Sequence, residues 1–401
     1  MLSKPSHTKY ARSDAPDGWD YLRYLLYNAP AREAGAFTPD AALDHFLAHG
    51  GPFRFEESTL PNKNHVVTLM GYTAIRPDGD RHTNWFPWNR FLDVYRQIGY
   101  RAEWLEMSAL ERLGEKRIFI TWNEPSALEL FNSGKVCPGD IVLQKVTSLG
   151  KGMEGVNWTA DAAAWSRNWE WPIYRTVEYL ADIGCNVHAF GCRTAPGVSP
   201  EKDRIVERLG VRMHWIPWGG TPFDLSQVLE AEPVMSGFKR EAVFVGSKWG
   251  RVGRGNIDAW KRYLEPLETS DEIRFEKVGG IGQKMVSDDE MVSILKTAKI
   301  CPIVHAPSWQ AEKGVQDRFY TVFLSGRFGV CDNLGAVEIF GEEIAEICDP
   351  VPANYYNKTL HFSKSIEEQL PYVRFVQDRI KKRNNFYVSW HDLLSSLPEL
   401  I

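Results

Sequence analysis

From residue 65 onward, short apolar runs alternate with amphipathic stretches, a rhythm that predicts strands separated by helices and hence a parallel, doubly wound sheet. The runs at 65–72 (HVVTLMGY), 101–107 (RAEWLEM), 116–121 (KRIFIT), 140–145 (DIVLQK), 186–190 (NVHAF) and 211–216 (VRMHWI) read as six strands. Helical spacing lies between them at 89–98, 108–113, 126–132, 171–183 and 200–209, with Gly99 and Gly134 as stops. Ahead of this unit, 20–28 and 41–49 have helical apolar spacing. Thr38-Pro39-Asp40 opens the second of these and Gly50-Gly51-Pro52 ends it.

The pattern lapses over 221–240, where Pro222, Pro233 and Gly237 stand among few regular signals, and this predicts a linker. A second α/β run starts at Ala242. It has strands at 242–245, 273–278, 300–304 and 329–331, helices at 256–264, 287–298 and 316–324, further apolar pieces at 337–340 and 344–348, and a long closing helix at 366–382. The expected layout is a helical extension (1–60), a first Rossmann-like domain (61–220), the linker (221–240), a second Rossmann-like domain (241–370) and a C-terminal helix (371–401) free to pack back on the first domain.

Composition narrows the class. The chain has 401 residues, 43% hydrophobic and 25% charged, as in a globular protein with room for two cores. The net charge of −5 argues against a nucleic-acid partner and for at most peripheral association with a membrane. Cys137, Cys185, Cys192, Cys301, Cys331 and Cys348 are scattered, and several sit inside apolar runs, as buried thiols of a reducing compartment do. Residues 1–12 are polar, and no apolar run approaches spanning length. A cytoplasmic location is expected.

Two loops carry the candidate chemistry. After the strand 242–245 come Gly246-Ser247 and then Lys248, Arg251 and Arg254 interleaved with Gly250, Gly253 and Gly255. Such a loop presents backbone N–H groups and cations to a phosphate, or else is an ordinary turn with solvated charges. The loop at 75–89 (IRPDGDRHTNWFPWN) opens at the carboxyl edge of the first sheet, where α/β proteins place ligands. Asp78, Asp80 and His82 can each accept a proton there, and Trp85 and Trp88 can stack on sugar faces. His45 and His49, four apart on one helix face, have a zinc-holding spacing but lack further ligands nearby.

Three segments resemble the group 1 glycosyltransferases of GT-B fold. His214-Trp215-Ile216-Pro217-Trp218-Gly219-Gly220 is similar to the segment closing their N-terminal domain. The strand–Gly-Ser–basic loop is similar to their "FVGS…R" start of the donor domain. Residues 316–332 (QDRFYTVFLSGRFGVCD) resemble the "FR.FE..A.G.F.L.D" helix, glycine and strand of the spore-maturation-protein-like branch. At the other end of the chain, Tyr24-Leu25-Leu26-Tyr27-Asn28, Ala34-Gly35, His45-Phe46-Leu47 and His49-Gly50 look like a helical element of cell-surface polysaccharide glycosyltransferases.

The resemblance implies two Rossmann-like domains facing a cleft. The chain would move a sugar from a nucleotide-sugar to a glycan, lipid-linked or surface-polymer acceptor. It implies no cofactor and no obligatory metal, the departing diphosphate being neutralised by cations and helix N-termini. The implied donor-binding set is Gly246, Lys248, Arg251, Arg254, Lys284, His305, Arg318, Thr321, Gly335, Ala336 and Glu338. Arg318 matches the family arginine. Thr321 stands where many members have a ribose-binding glutamate, a departure that bears on nucleotide choice. His305 is a ligand or a turn residue. An inverting reaction needs a base, for which Asp78, Asp80 and His82 are the candidates. Two rival readings remain: a metal-dependent glycosyltransferase using Asp78 and Asp80, and a two-domain nucleotide- or sugar-binding protein without catalysis.

Overall fold

A computed structural model describes residues 12–53, 65–70, 85–105, 110–111, 114–121, 130, 133–145, 186–191, 213–217, 222–248, 250–251, 254–279, 286–311 and 313–397. The protein is α/β, built on two parallel sheets. The first has strands β1 (His65–Met70), β2 (Arg101–Leu105), β3 (Lys116–Thr121), β4 (Ile141–Lys145), β5 (Asn186–Gly191) and β6 (Met213–Trp215), in the order β2-β1-β3-β4-β5-β6. All five neighbour pairs are parallel. Strands buried on both faces need near-continuous apolar runs, and β1 is buried at every position. The order reverses between β1 and β3, which marks the carboxyl edge there as a switch point.

The second sheet begins with β7 (Arg240–Val245). Next come a short antiparallel hairpin, β8 (Gly250–Arg251) and β9 (Arg254–Gly255), then β10 (Phe275–Val278) and β11 (Ala298–Ile300). β7 lies between β10 and β11, parallel to both. The expected strands at 300–304 and 329–331 shrink to single bridges, Ile303 to Cys331 and Cys331 to Cys348. The backbone still continues the ladder sideways, with Ile303 N–H donating to Val330 O (2.9 Å) and Cys331 N–H to Ile347 O (2.9 Å). The piece at 337–340 is not a strand but part of the helix Gly335–Phe340, and the piece at 344–348 lies mostly in a 3-10 turn, Glu342–Ile347.

The expected linker carries more structure than its composition suggests. Asp224 and Gln227 form a reciprocal capping box at the start of the helix Leu225–Leu229. Further along, the buried Arg327 donates to Val234 O, Ser236 O (3.0 Å) and Lys296 O, and stacks 4.4 Å over Phe238. This fixes 234–238 against the second sheet.

The helix Pro352–Lys364 had no counterpart in the apolar pattern, and the stretch expected as one C-terminal helix is broken into Leu370–Lys382 and Phe386–Ser395. The last one lies against the first unit: Phe386 meets Phe91 (4.6 Å between ring centres), Trp390 meets Tyr95 (5.0 Å) and Phe190 (5.3 Å), and Tyr387 Oη donates to Phe223 O (3.1 Å). An ion pair between Arg90, in the helix Trp85–Gln97, and Asp288, opening the helix Asp288–Leu295, also joins the two units. No helix among the described residues is long and apolar enough to cross a membrane.

Candidate functional site

The carboxyl end of β7 and the first turn of the helix Asp317–Leu324 come together around one guanidinium. β7 ends at Val245, and Gly246 turns the chain with φ +154° while its N–H donates to Val278 O of β10 (2.9 Å). A Cβ on Gly246 would lie 2.6 Å from Arg318 Nη2, so the missing side chain is the space the guanidinium occupies. Arg318 stacks 4.2 Å over the Phe244 ring and donates from Nη1 to Val304 O (3.0 Å). Its other guanidinium donors make no hydrogen bond among the described residues. The residue is half-buried, and burial lowers its pKa while Asp317 and Asp332 oppose that. It stays charged, since a guanidinium titrates far above neutral. A forked cation at the carboxyl edge of a parallel sheet has the charge and geometry that can hold a diphosphate.

Lys248 belongs to the same chain of contacts without touching Arg318. Phe244 packs edge-on against Trp260 (5.2 Å), and the Lys248 ammonium lies 5.7 Å over that indole, beside Lys277 at 5.0 Å. Asn256 Nδ2 donates to Ser247 O (2.8 Å) and holds the loop's start. Arg251 and Arg254 face each other across the antiparallel β8–β9 register, so the backbone at 250–251 and 254–255 is paired strand to strand.

The second expected phosphate-facing turn is spent internally. Gly335 N–H donates to Asn333 Oδ1 (2.9 Å) and Ala336 N–H to Asn333 O (3.3 Å). Both residues are buried. A Cβ on Gly335 would sit 1.8 Å from Lys313 O, which explains that glycine without a ligand. Glu338 pairs with Lys313 near the surface. Thr321 is 4% exposed, and its carbonyl accepts from Ser325 Oγ (2.7 Å), so it offers almost no surface to a ribose.

His305 is a buried structural histidine. Its backbone N–H donates to both oxygens of Asp332 (3.1 and 2.9 Å), and Nδ1 lies 2.6 Å from Oδ1. Burial works against a charge on the ring, yet Asp332 outweighs it and raises the pKa to about 9. Against this, Gln316 N–H points at Nε2 from 3.2 Å and needs a lone pair there. The donor geometry decides for the neutral ring, which gives its Nδ1 proton to Asp332. His305, Cys331 and Asp332 place possible metal ligands within 4.8 Å of one another. Both ring nitrogens are already committed, so the cluster is a hydrogen-bonded core rather than an open coordination site.

Asp78, Asp80, His82 and Lys284 lie outside the described residues, and Trp85 and Trp88 are described only in backbone. His45 is taken by Tyr24, whose Oη is 2.6 Å from Nδ1, which accounts for the His45–His49 face without zinc. Cys301, Cys331 and Cys348 are buried free thiols, and Cys137 is a half-buried one. The sequence reading missed Phe244, Trp260, Gln310 and Asp332. Asp332 had a visible mark, a lone carboxylate ending the apolar run 328–331.

No family profile matches the chain, and no curated protein matches it. Similar solved structures include a β-glucosyltransferase described as a DNA-modifying enzyme, determined with and without uridine diphosphoglucose. It is 7% identical, covering 83% of this chain and 100% of that one, with a TM-score of 0.47. T4 phage β-glucosyltransferase is 8% identical over the same shares, with a TM-score of 0.46. At this identity and score the likeness assigns no residue a role.

Proposed function

We propose that the chain is a glycosyltransferase of GT-B plan, taking a nucleotide-sugar on its second sheet and passing the sugar to a glycan, lipid-linked or surface-polymer acceptor held by the first. The observation that carries the reading is the Arg318 corner, a guanidinium seated under Gly246 at the carboxyl ends of β7 and β10, with Nη2 and Nε making no hydrogen bond among the described residues. As the glycosidic bond to the diphosphate breaks, negative charge grows on the leaving oxygen. A fixed cation there stabilises that charge more than it stabilises the intact donor. The reading includes no obligatory metal and a cytoplasmic location with at most peripheral membrane contact.

The test is a thermal-shift screen of the full chain against nucleoside diphosphates and their sugars. Stabilisation by one of them, reduced 10- to 100-fold in affinity by Arg318→Ala, is expected from losing a charge-assisted contact of about 1.5–3 kcal/mol. No stabilisation by any member of the panel rejects the assignment. Turnover unchanged by a chelator is expected of the metal-free reading, and lost turnover supports the rival that uses Asp78 and Asp80. Binding without release or transfer of sugar supports the non-catalytic rival.

A further inference from the structure

One peptide unit links the Arg318 guanidinium to a carboxylate hidden behind it. The Val304 carbonyl accepts from Arg318 Nη1 (3.0 Å), and the N–H of the same peptide, belonging to His305, donates to Asp332 Oδ1 and Oδ2 (3.1 and 2.9 Å). Asp332 is fully buried and is held from its other sides by His305 Nδ1 (2.6 Å) and Gln310 Nε2 (2.6 Å). With His305 neutral, every one of these donors is uncharged. The charge of the buried carboxylate then acts on Arg318, one peptide away, alongside that of Asp317 next to it.

A carboxylate on the N–H of a peptide polarises it and makes its carbonyl a better acceptor. The same bonds fix the direction in which that carbonyl points. Arg318 has two other supports, the Phe244 face and the gap over Gly246, and neither fixes rotation of the guanidinium about its own axis. The hydrogen bond to Val304 O does.

We propose that Asp332 is a positioning residue for Arg318. Acting through the Val304–His305 peptide, it holds the guanidinium so that the remaining donors face a diphosphate. This rests on Arg318 being the diphosphate-binding cation. It accounts for a carboxylate buried in an apolar sheet edge, where a charge is costly unless its field is used.

The experiment is a double-mutant cycle on the full chain, read by calorimetric titration with inorganic pyrophosphate, which reports the phosphate seat whatever the base. Wild type binds, and Arg318→Ala weakens binding. Asp332→Asn, nearly isosteric, is expected to weaken it about tenfold, and to add nothing in the Arg318→Ala background, because coupled neighbours are strongly non-additive. Wild-type affinity in Asp332→Asn overturns the proposal, and so does a loss that persists undiminished without Arg318, since that is a general structural effect. Should Asp332→Asn not fold, Gln310→Leu removes one donor from the carboxylate at a half-buried position and is read in the same cycle. A threefold loss confined to the Arg318 background is expected on the order of such couplings, and an unchanged affinity overturns the idea. If wild type binds neither pyrophosphate nor any nucleoside diphosphate, the reading of Arg318 itself fails. That outcome is distinct from Arg318→Ala weakening binding while Asp332→Asn does not.

Discussion

Two turns of the second sheet, Gly246 at the end of β7 and Gly335 at the start of the helix Gly335–Phe340, look alike in sequence and opposite in structure. Each has a glycine, a nearby charge and a place just past an apolar strand-like run. At Gly246 the absent Cβ makes room for a guanidinium whose other donors make no hydrogen bond among the described residues. At Gly335 it makes room for the carbonyl of Lys313, and the neighbouring N–H groups are consumed by Asn333. A glycine in a motif thus has two readings, space for a ligand-binding side chain or space for the protein's own backbone. What the Cβ would strike separates them.

The largest expected effect follows from that contrast. Gly335→Ala puts a methyl 1.8 Å from a backbone oxygen that cannot swing away. Overpacking of this kind costs about 3 kcal/mol or more, read as a fall of several degrees in Tm. The folded fraction is expected to keep its diphosphate affinity. Gly246→Ala should reverse the pattern. Its methyl meets a side-chain end 2.6 Å away, which can move, so the fall in Tm comes from the φ of +154° and is smaller than at Gly335. The guanidinium is displaced, and nucleoside diphosphate affinity is expected to drop about tenfold. A large Tm loss with intact affinity in Gly246→Ala would erase the distinction between the two turns.

The sheets were legible because period and chemistry agree. β1 is buried at every position, and 118–120 of β3 and 141–143 of β4 are apolar runs buried on both faces, so no tertiary contact is needed to recognise them. The second sheet was less so. At 300–304 and 328–332 the chain is apolar and sheet-like, but adjacent segments meet through single bridges, which periodicity does not report. The C-terminal helix was expected as one piece, although Asn385 marks a second start, its side chain accepting from Val388 N–H (2.8 Å). In the candidate site, Arg318 and Gly246 were visible through motif spacing, 72 positions apart in the chain. Asp332 was visible as a lone carboxylate after the apolar run 328–331, but its part and that of the Val304 carbonyl were not, because they depend on which peptide lies between them. Thr321, Gly335 and Ala336 looked available for the opposite reason: sequence shows a residue's chemistry but not whether its donors are already used.

A smaller effect is expected from Lys248→Ala. Its ammonium lies over Trp260 at 5.7 Å and reaches Arg318 only through two rings, so it contributes field rather than contact. A two- to threefold loss of diphosphate affinity is expected, on the order of 0.5 kcal/mol for a half-buried cation that makes no direct contact. A loss as large as that of Arg318→Ala would move the phosphate seat from Val304 toward the β8–β9 hairpin.

The smallest effect sharpens the comparison most directly. Glu338 sits one helical turn past Gly335 and is paired with Lys313, both side chains being solvent-accessible. An exposed ion pair contributes about 0–1 kcal/mol, so Glu338→Gln should shift Tm by at most a couple of degrees. The carboxylate also lies on the turn whose N–H groups are already taken. If that turn only holds the backbone together, Glu338→Gln leaves the affinity for every nucleotide-sugar in the panel within twofold of wild type. A selective loss of sugar-nucleotide affinity, with nucleoside diphosphate affinity kept, would instead put Glu338 on a sugar hydroxyl. The Gly335 turn would then border the site despite its spent donors, and the two glycines would differ in what they make room for rather than in whether they face the ligand.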